Sequence, residues 1–102
     1  MSKVSVINIF TVKNGKLDEF IDLQQRFASE LSKNFDGLIG GRMFKGLDGK
    51  TAVLVSVFAS MEQQEAVRKL PMFQTHIEHL RTLIDEAKPA LFEIAYTVGE
   101  FV

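Results

Sequence analysis

Hydrophobic positions along this chain change period from two to between three and four and back, and the changes divide it into elements. From Val4 to Val12, VSVINIFTV, alternation places Val4, Val6, Asn8, Phe10 and Val12 on one side and Ser5, Ile7, Ile9 and Thr11 on the other. Apart from Asn8 the first of these sides is wholly apolar, and the second is largely so. The stretch predicts a strand in the middle of a sheet, buried on both faces. Lys13-Asn14-Gly15 ends it. Lys16 to Lys33 contains no Gly or Pro. At about 100° per residue it gathers Leu17, Phe20, Phe27, Ala28 and Leu31 on one helical face, with Gln24 in the middle of that face. Asn34 to Gly37 closes this helix.

Leu38 to Lys45 predicts a second strand, and its Gly40-Gly41 pair signals a bulge, a bend or close backbone approach. Leu47-Asp48-Gly49-Lys50 carries a hairpin signal, so Thr51 to Ala59, TAVLVSVFA, should pair antiparallel with the second strand. This third strand is apolar on both sides apart from Ser56. Ser60-Met61-Glu62-Gln63 predicts a capping box opening a short helix, which Leu70-Pro71 interrupts. A further helical piece is expected from Met72 to Glu86 with Phe73, Ile77, Leu80 and Ile84 inward. Its wheel places His76 roughly 60° from the centre of the stripe and His79 roughly 120° away. Lys88-Pro89 should end it, leaving Ala90 to Val98 as a last strand with Phe92, Ile94, Tyr96 and Val98 on one face.

The order is βαββαβ, an α+β, ferredoxin-like arrangement of one four-stranded antiparallel sheet, with strands one and three central. Helices can cover only one face of such a sheet. Strands one, three and four are apolar on both, so the second face needs a cover. A second copy of the sheet is the most economical one, and a homodimer packed sheet to sheet is expected, with the last strand and the tail from Gly99 to Val102 helping to hold the partner.

Composition narrows the class of function. At 102 residues one domain spanning 1–102 is expected. The net charge is −1 and no cluster of Lys or Arg forms a footprint for nucleic acid or an anionic membrane. Cysteine is absent, which removes thiolate metal sites and thiol nucleophiles. MSKVSVINIF lacks the pattern of a signal peptide, and no stretch approaches about 18 apolar residues. A soluble, cytoplasmic protein is the expectation.

The runs VSVINIFTVKNGKLDEFIDL, FDGLIGGRMFKGLDGKTAVLVSVFASMEQQEAV and LPMFQTHIEHL resemble the antibiotic biosynthesis monooxygenase family of dimeric α/β barrels. The resemblance covers nearly the whole chain. It implies a pocket in each subunit, between the helices and the sheet, in which small aromatic, polyketide-like or quinol compounds are oxygenated without metal or flavin. Asn8 is similar to the strand-one Asn of the haem-degrading relatives and would point into that pocket. The chain departs from the family in three places. Phe58 stands where many relatives have Trp, Val67 where many have His or Trp, and Ile77 where the haem-degrading relatives have their iron-binding His. His76 is one residue away from that last position, about 100° around the helix.

Triplet oxygen can be reduced without a cofactor when the substrate itself is an electron-rich phenolate, enolate or hydroquinone. The protein then supplies a base, an oxyanion-stabilising donor and exclusion of water. Asn8 and His76 are the catalytic candidates, with His76 the base. Gln24, Phe10, Phe27, Phe58 and Phe73 are the candidates for holding substrate. No cofactor is expected. His76 and His79 have metal-ligand spacing, but no third ligand accompanies them, so no metal is expected either. Arg42 and Tyr96 read as ordinary strand residues. The alternatives are a non-catalytic small-molecule-binding module or a structural dimeric module, with a haem-degrading oxygenase as a third reading. An open pocket ringed by Asn8, Gln24 and His76 favours enzyme or binder, whereas phenylalanines filling that space favour the structural module.

Overall fold

In the computed structural model, which describes residues 2–101, the chain forms β1 (Val4–Val12), α1 (Leu17–Asn34), β2 (Leu38–Lys45), β3 (Thr51–Phe58), α2 (Met61–Arg68), α3 (Pro71–Arg81) and β4 (Ile84–Phe92). The sheet order is β2-β3-β1-β4, antiparallel throughout. The two strands patterned for burial on both faces, β1 and β3, are the central ones. Asn8 at the middle of β1 faces Leu54 on one side and Pro89 on the other.

All three helices pack on one face of the sheet, in two apolar clusters. Near the α1 N-terminus, Phe10, Val12 and Ala52 meet Leu17, Phe20, Leu80 and Leu83. Toward the other end, Val4 and Phe58 meet Leu31 and Val67, with Val6, Phe27 and Phe73 packed against them. Phe20 is fully buried, and its ring lies 4.9 Å from that of Phe10. No helix among the described residues is long and apolar enough to cross a membrane.

The opposite face carries Ile7 and Ile9 of β1, Val53, Val55 and Val57 of β3, Arg42 and Phe44 of β2, and Ala90 and Phe92 of β4, as the strand register dictates. Among the described residues no helix covers it, and of the tail Phe101 lies against its Arg42 edge, the guanidinium 5.9 Å from the ring centroid. Ile9, Phe44 and Phe92 are each close to half exposed.

The last third of the chain departs from the sequence expectation. The third helix stops at Arg81, five residues before Glu86, and β4 begins at Ile84. No Gly or Pro marks this end. The Thr82 hydroxyl donates to the His79 carbonyl, Leu83 is buried, and the Lys13 N–H donates to the Leu83 carbonyl, so pairing with β1 wins over continued helical periodicity. Lys88-Pro89 therefore lies within β4. Proline is tolerated there because β4 is an edge strand. From residue 93 to 101 the chain has no regular structure, and Ile94, Tyr96, Val98 and Phe101 are exposed rather than lining a strand face. Val102 lies outside the described residues. The capping box is half made: the Gln63 N–H donates to the Ser60 hydroxyl, while the Gln63 side chain lies against Gly37 instead of returning to Ser60.

Two of the readings of Gly40-Gly41, the bulge and the close approach, hold. The register of β2 against β3 shifts between Leu38 and Gly40. A Cβ on Gly41 would sit 2.8 Å from the Val55 carbonyl oxygen, whereas one on Gly40 meets nothing within 4 Å. Gly41→Ala is thus expected to cost roughly 1–3 kcal/mol through overpacking against backbone. Gly40→Ala should be near neutral. Urea unfolding of the two variants checks the difference. In the β2–β3 turn, Asp48 accepts from the Thr51 hydroxyl and from the N–H groups of Lys50 and Thr51, which hold its carboxyl down at about 2. Gly49 takes a positive φ of 78° there.

Candidate functional site

Between the two apolar clusters runs a polar layer, and each of the three inner elements contributes one side chain to it. On β1, Asn8 shares the helix-facing side with Val6 and Phe10, which belong to different clusters. On α1, Gln24 sits between Phe20 of one cluster and Phe27 and Leu31 of the other. On α3, His76 sits between Phe73 and Leu80 in the same way. Helical and strand periodicity thus bring one polar residue from each element to a common level.

Gln24 and His76 are only 7% exposed, and their side chains meet directly, Gln24 Oε1 against His76 Nε2. With a carbonyl oxygen facing it, Nε2 carries the imidazole proton, and Nδ1 keeps its lone pair. Burial pushes the His76 pKa down to about 4, with the neighbouring His79 adding to the effect. His76 is therefore neutral at pH 7 and able to accept a proton. The Phe27 ring stacks on the imidazole, with centroids 3.8 Å apart and planes within 4°. Phe73 flanks Phe27 at 6.2 Å.

Asn8 Oδ1 is buried and accepts no hydrogen bond. An orphaned buried acceptor costs roughly 1–3 kcal/mol, so this amide is not explained by packing. Gln64 repeats the pattern. It is 6% exposed, shares the buried side of α2 with Val67, and its Oε1 likewise lacks a donor. Gln64 was not among the candidate residues. The short α2, with Val67 its only buried apolar residue, offers no apolar stripe that would mark Gln64 as inward.

The structure joins Gln24, His76, Phe27 and Phe73 through direct side-chain contacts, and Asn8 lies on the helix-facing side of β1 between Val6 and Phe10. It sets Phe10 and Phe58 in separate clusters on either side. His76 lies deeper than the border position expected from its wheel, because Phe27 and Gln24 of α1 close over it. His79 is exposed, as expected. Two shallow surface depressions lie elsewhere: one of about 550 Å3 over Asp22, Arg26 and Glu30 on the outer side of α1, the other of about 300 Å3 beside Met61 and Leu91. Among the described residues no three His, Asp or Glu side chains converge as metal ligands.

A ferredoxin-like sheet with a buried amide and imidazole layer beneath its helices defines a class of small α+β proteins with an internal polar site. The sequence model for antibiotic biosynthesis monooxygenases matches residues 3–79, and the chain belongs to that family. No curated protein matches it significantly. Among solved structures, it is similar to SnoaB, a cofactor-independent oxygenase from Streptomyces nogalater, with a TM-score of 0.86 and 24% identity over 98% of this chain and 100% of that one. A conserved protein from Methanosarcina mazei aligns with a TM-score of 0.80 and 17% identity over 91% of this chain and 93% of that one. A protein from Mycobacterium tuberculosis gives 0.81 and 16% over 96% and 100%. At these identities the structural likeness speaks to the fold.

Proposed function

We propose that the protein is a cofactor-independent monooxygenase that takes a small aromatic, polyketide-like or quinol substrate beneath the helices, at Asn8, Gln24 and His76. Family membership and the likeness to SnoaB support the monooxygenase class. The observation that carries the site is the buried, unpartnered Asn8 Oδ1 at the level of a neutral, hydrogen-bonded His76.

The chemistry follows from those groups. His76 Nδ1 takes a proton from an acidic phenol or benzylic position, and the substrate anion formed beside it offsets the burial that otherwise disfavours the imidazolium. The resulting anion is electron-rich enough to give up electrons to oxygen, and Gln24 holds the imidazole in the tautomer that keeps Nδ1 free. For an anthrone, one oxygen atom enters the ring carbon and the other leaves as water with the two hydrogens of the methylene, so the substrate supplies every electron. Asn8 orients the substrate oxygen, and the apolar clusters on either side keep water out.

The protein acts as a homodimer, packed through the uncovered sheet face. Support comes from the exposed apolar side chains of β1, β2 and β4 on that face, with the half-buried Val53, Val55 and Val57 of β3 between them, and from the exposed Ile94, Tyr96 and Val98 that follow β4. A single mass of one chain in light scattering at micromolar concentration would contradict this.

One observation favours a second reading, a structural module. Phe27 already occupies the face of His76, its ring stacked on the imidazole. In the enzyme reading Phe27 swings aside to admit substrate. Oxygen uptake with anthrones and naphthoquinols separates the two. Wild type is expected to exceed the uncatalysed rate, and an Asn8→Ala, His76→Ala double variant to lose at least about 100-fold, the lower end for a positioned general base. Equal rates for both would end the oxygenase reading.

A further inference from the structure

We propose that Ser56 contacts the substrate at the inner end of a channel that crosses the sheet between the two apolar clusters and opens at the β4 edge over Leu91, on the reading above that an aromatic binds beneath the helices.

Burial along the helix-facing rows of the sheet marks the channel. Val4 and Phe58 lie opposite each other and both are buried, and the same holds for Phe10 and Ala52. The two rows between these, Val6 with Ser56 and Asn8 with Leu54, are only half-buried on both strands. Cover over β1 and β3 therefore thins at the same two rows. It does so where the clusters part, since Val6 packs with one of them and Leu54 with the other. On β4 these rows end in Leu91 and Pro89. Both are exposed, Leu91 by 48%, so the band is open at that edge. Leu91 also borders the depression of about 300 Å3 that Val4 and Met61 line.

The band holds two polar side chains of the sheet. Asn8 Oδ1 is shielded and accepts no hydrogen bond. Ser56 interrupts the otherwise apolar run from Ala52 to Phe58. In its row it stands between Val6 and Gly41. The atoms nearest to a Cβ built on Gly41 all belong to β3, Ser56 Oγ among them at 3.6 Å, and no helix side chain comes closer there. A small side chain beside a glycine leaves room for a ligand where Val or Leu would fill it. The hydroxyl both donates and accepts, so it serves a ligand carbonyl as well as a ligand hydroxyl. Asn8 and Ser56 are diagonal neighbours, roughly 7–8 Å apart, a gap that a ring carrying polar groups on opposite sides bridges. From the β4 edge to Ser56 is two strand spacings, about 10 Å, a length that three fused rings fill.

The test uses the absence of Trp from the chain. Leu91→Trp sets a single indole at the exposed mouth, and titration with anthrone under nitrogen reads occupancy by quenching of its emission, beside calorimetry on wild type. Saturable quenching is expected. Ser56→Leu, which fills the inner end, should weaken anthrone binding by calorimetry at least about tenfold. Ser56→Ala keeps the room and removes the hydroxyl, and should weaken it about threefold or more; this small change also decides the matter if Ser56→Leu does not fold. Anthrone that binds wild type yet leaves the indole emission unchanged overturns the channel while the oxygenase reading stands. So does equal affinity of wild type and Ser56→Ala, which removes Ser56 from the site. Anthrone that binds no form of the protein defeats the reading that an aromatic is taken beneath the helices, and the channel with it.

Discussion

Ile7→Glu is expected to turn the proposed dimer into folded monomers. Ile7 sits at the centre of the uncovered face, flanked by Val55 on β3 and Ala90 on β4, with no cation beside it in the register. The choice matters. At Val55 the neighbouring Arg42 would pair with an introduced carboxylate, and at Ile9 the neighbouring Lys88 would do so. At Ile7 the carboxylate must be buried unpaired in the interface, and the two-fold arrangement places two of them there. Removing compensation from a buried charge costs about 3–5 kcal/mol, so the dimer dissociation constant should rise by roughly a thousandfold. The helix-covered face is untouched, so circular dichroism should be retained while light scattering reports half the mass. A variant that stays dimeric would place the interface elsewhere.

The second large effect is on acid stability and belongs to His76. Its pKa in the folded chain, about 4, lies below the ordinary 6.5 because burial disfavours the imidazolium. Between these values the unfolded chain binds the proton and the folded chain does not, so stability rises with pH across that window. The contribution is complete above about pH 6.5 and is lost as pH falls toward 4. At 1.36 kcal/mol per unit the loss reaches up to about 3 kcal/mol. His76→Gln has no titrating group there. Urea unfolding at pH 7, 5.5 and 4 should show wild type losing that much more than the variant, and parallel loss in both would contradict a buried neutral imidazole.

How much of this could be read from the sequence differs by element. The central strands were legible because VSVINIF and TAVLVSVF are apolar in both registers, and only a central strand has two faces to bury. The hairpin was legible from Asp48-Gly49, the break between α2 and α3 from Pro71. The end of α3 was not. Ile84 continues the spacing of Phe73, Ile77 and Leu80 as well as it begins a strand, and the choice is made by pairing with Val12, a contact distant in sequence. For the same reason Pro89 read as a helix stop when it is an edge-strand residue.

The site was half legible. Asn8 and Gln24 stood out because each is an amide where its element's periodicity demands an apolar side chain. The depth of His76 was hidden, since a wheel gives direction and not what packs above it, here Phe27. Gln64 escaped because α2 has too few apolar positions for its inner face to be drawn from sequence; Val67 is its only buried apolar residue.

The central claim, that the layer of Asn8, Gln24 and His76 carries out cofactor-independent oxygenation, is tested most directly by turnover of an anthrone under 18O2. The account predicts one labelled oxygen atom in the quinone product and one in water with wild type, and only background incorporation with the Asn8→Ala, His76→Ala variant. Equal incorporation by the two proteins would contradict it.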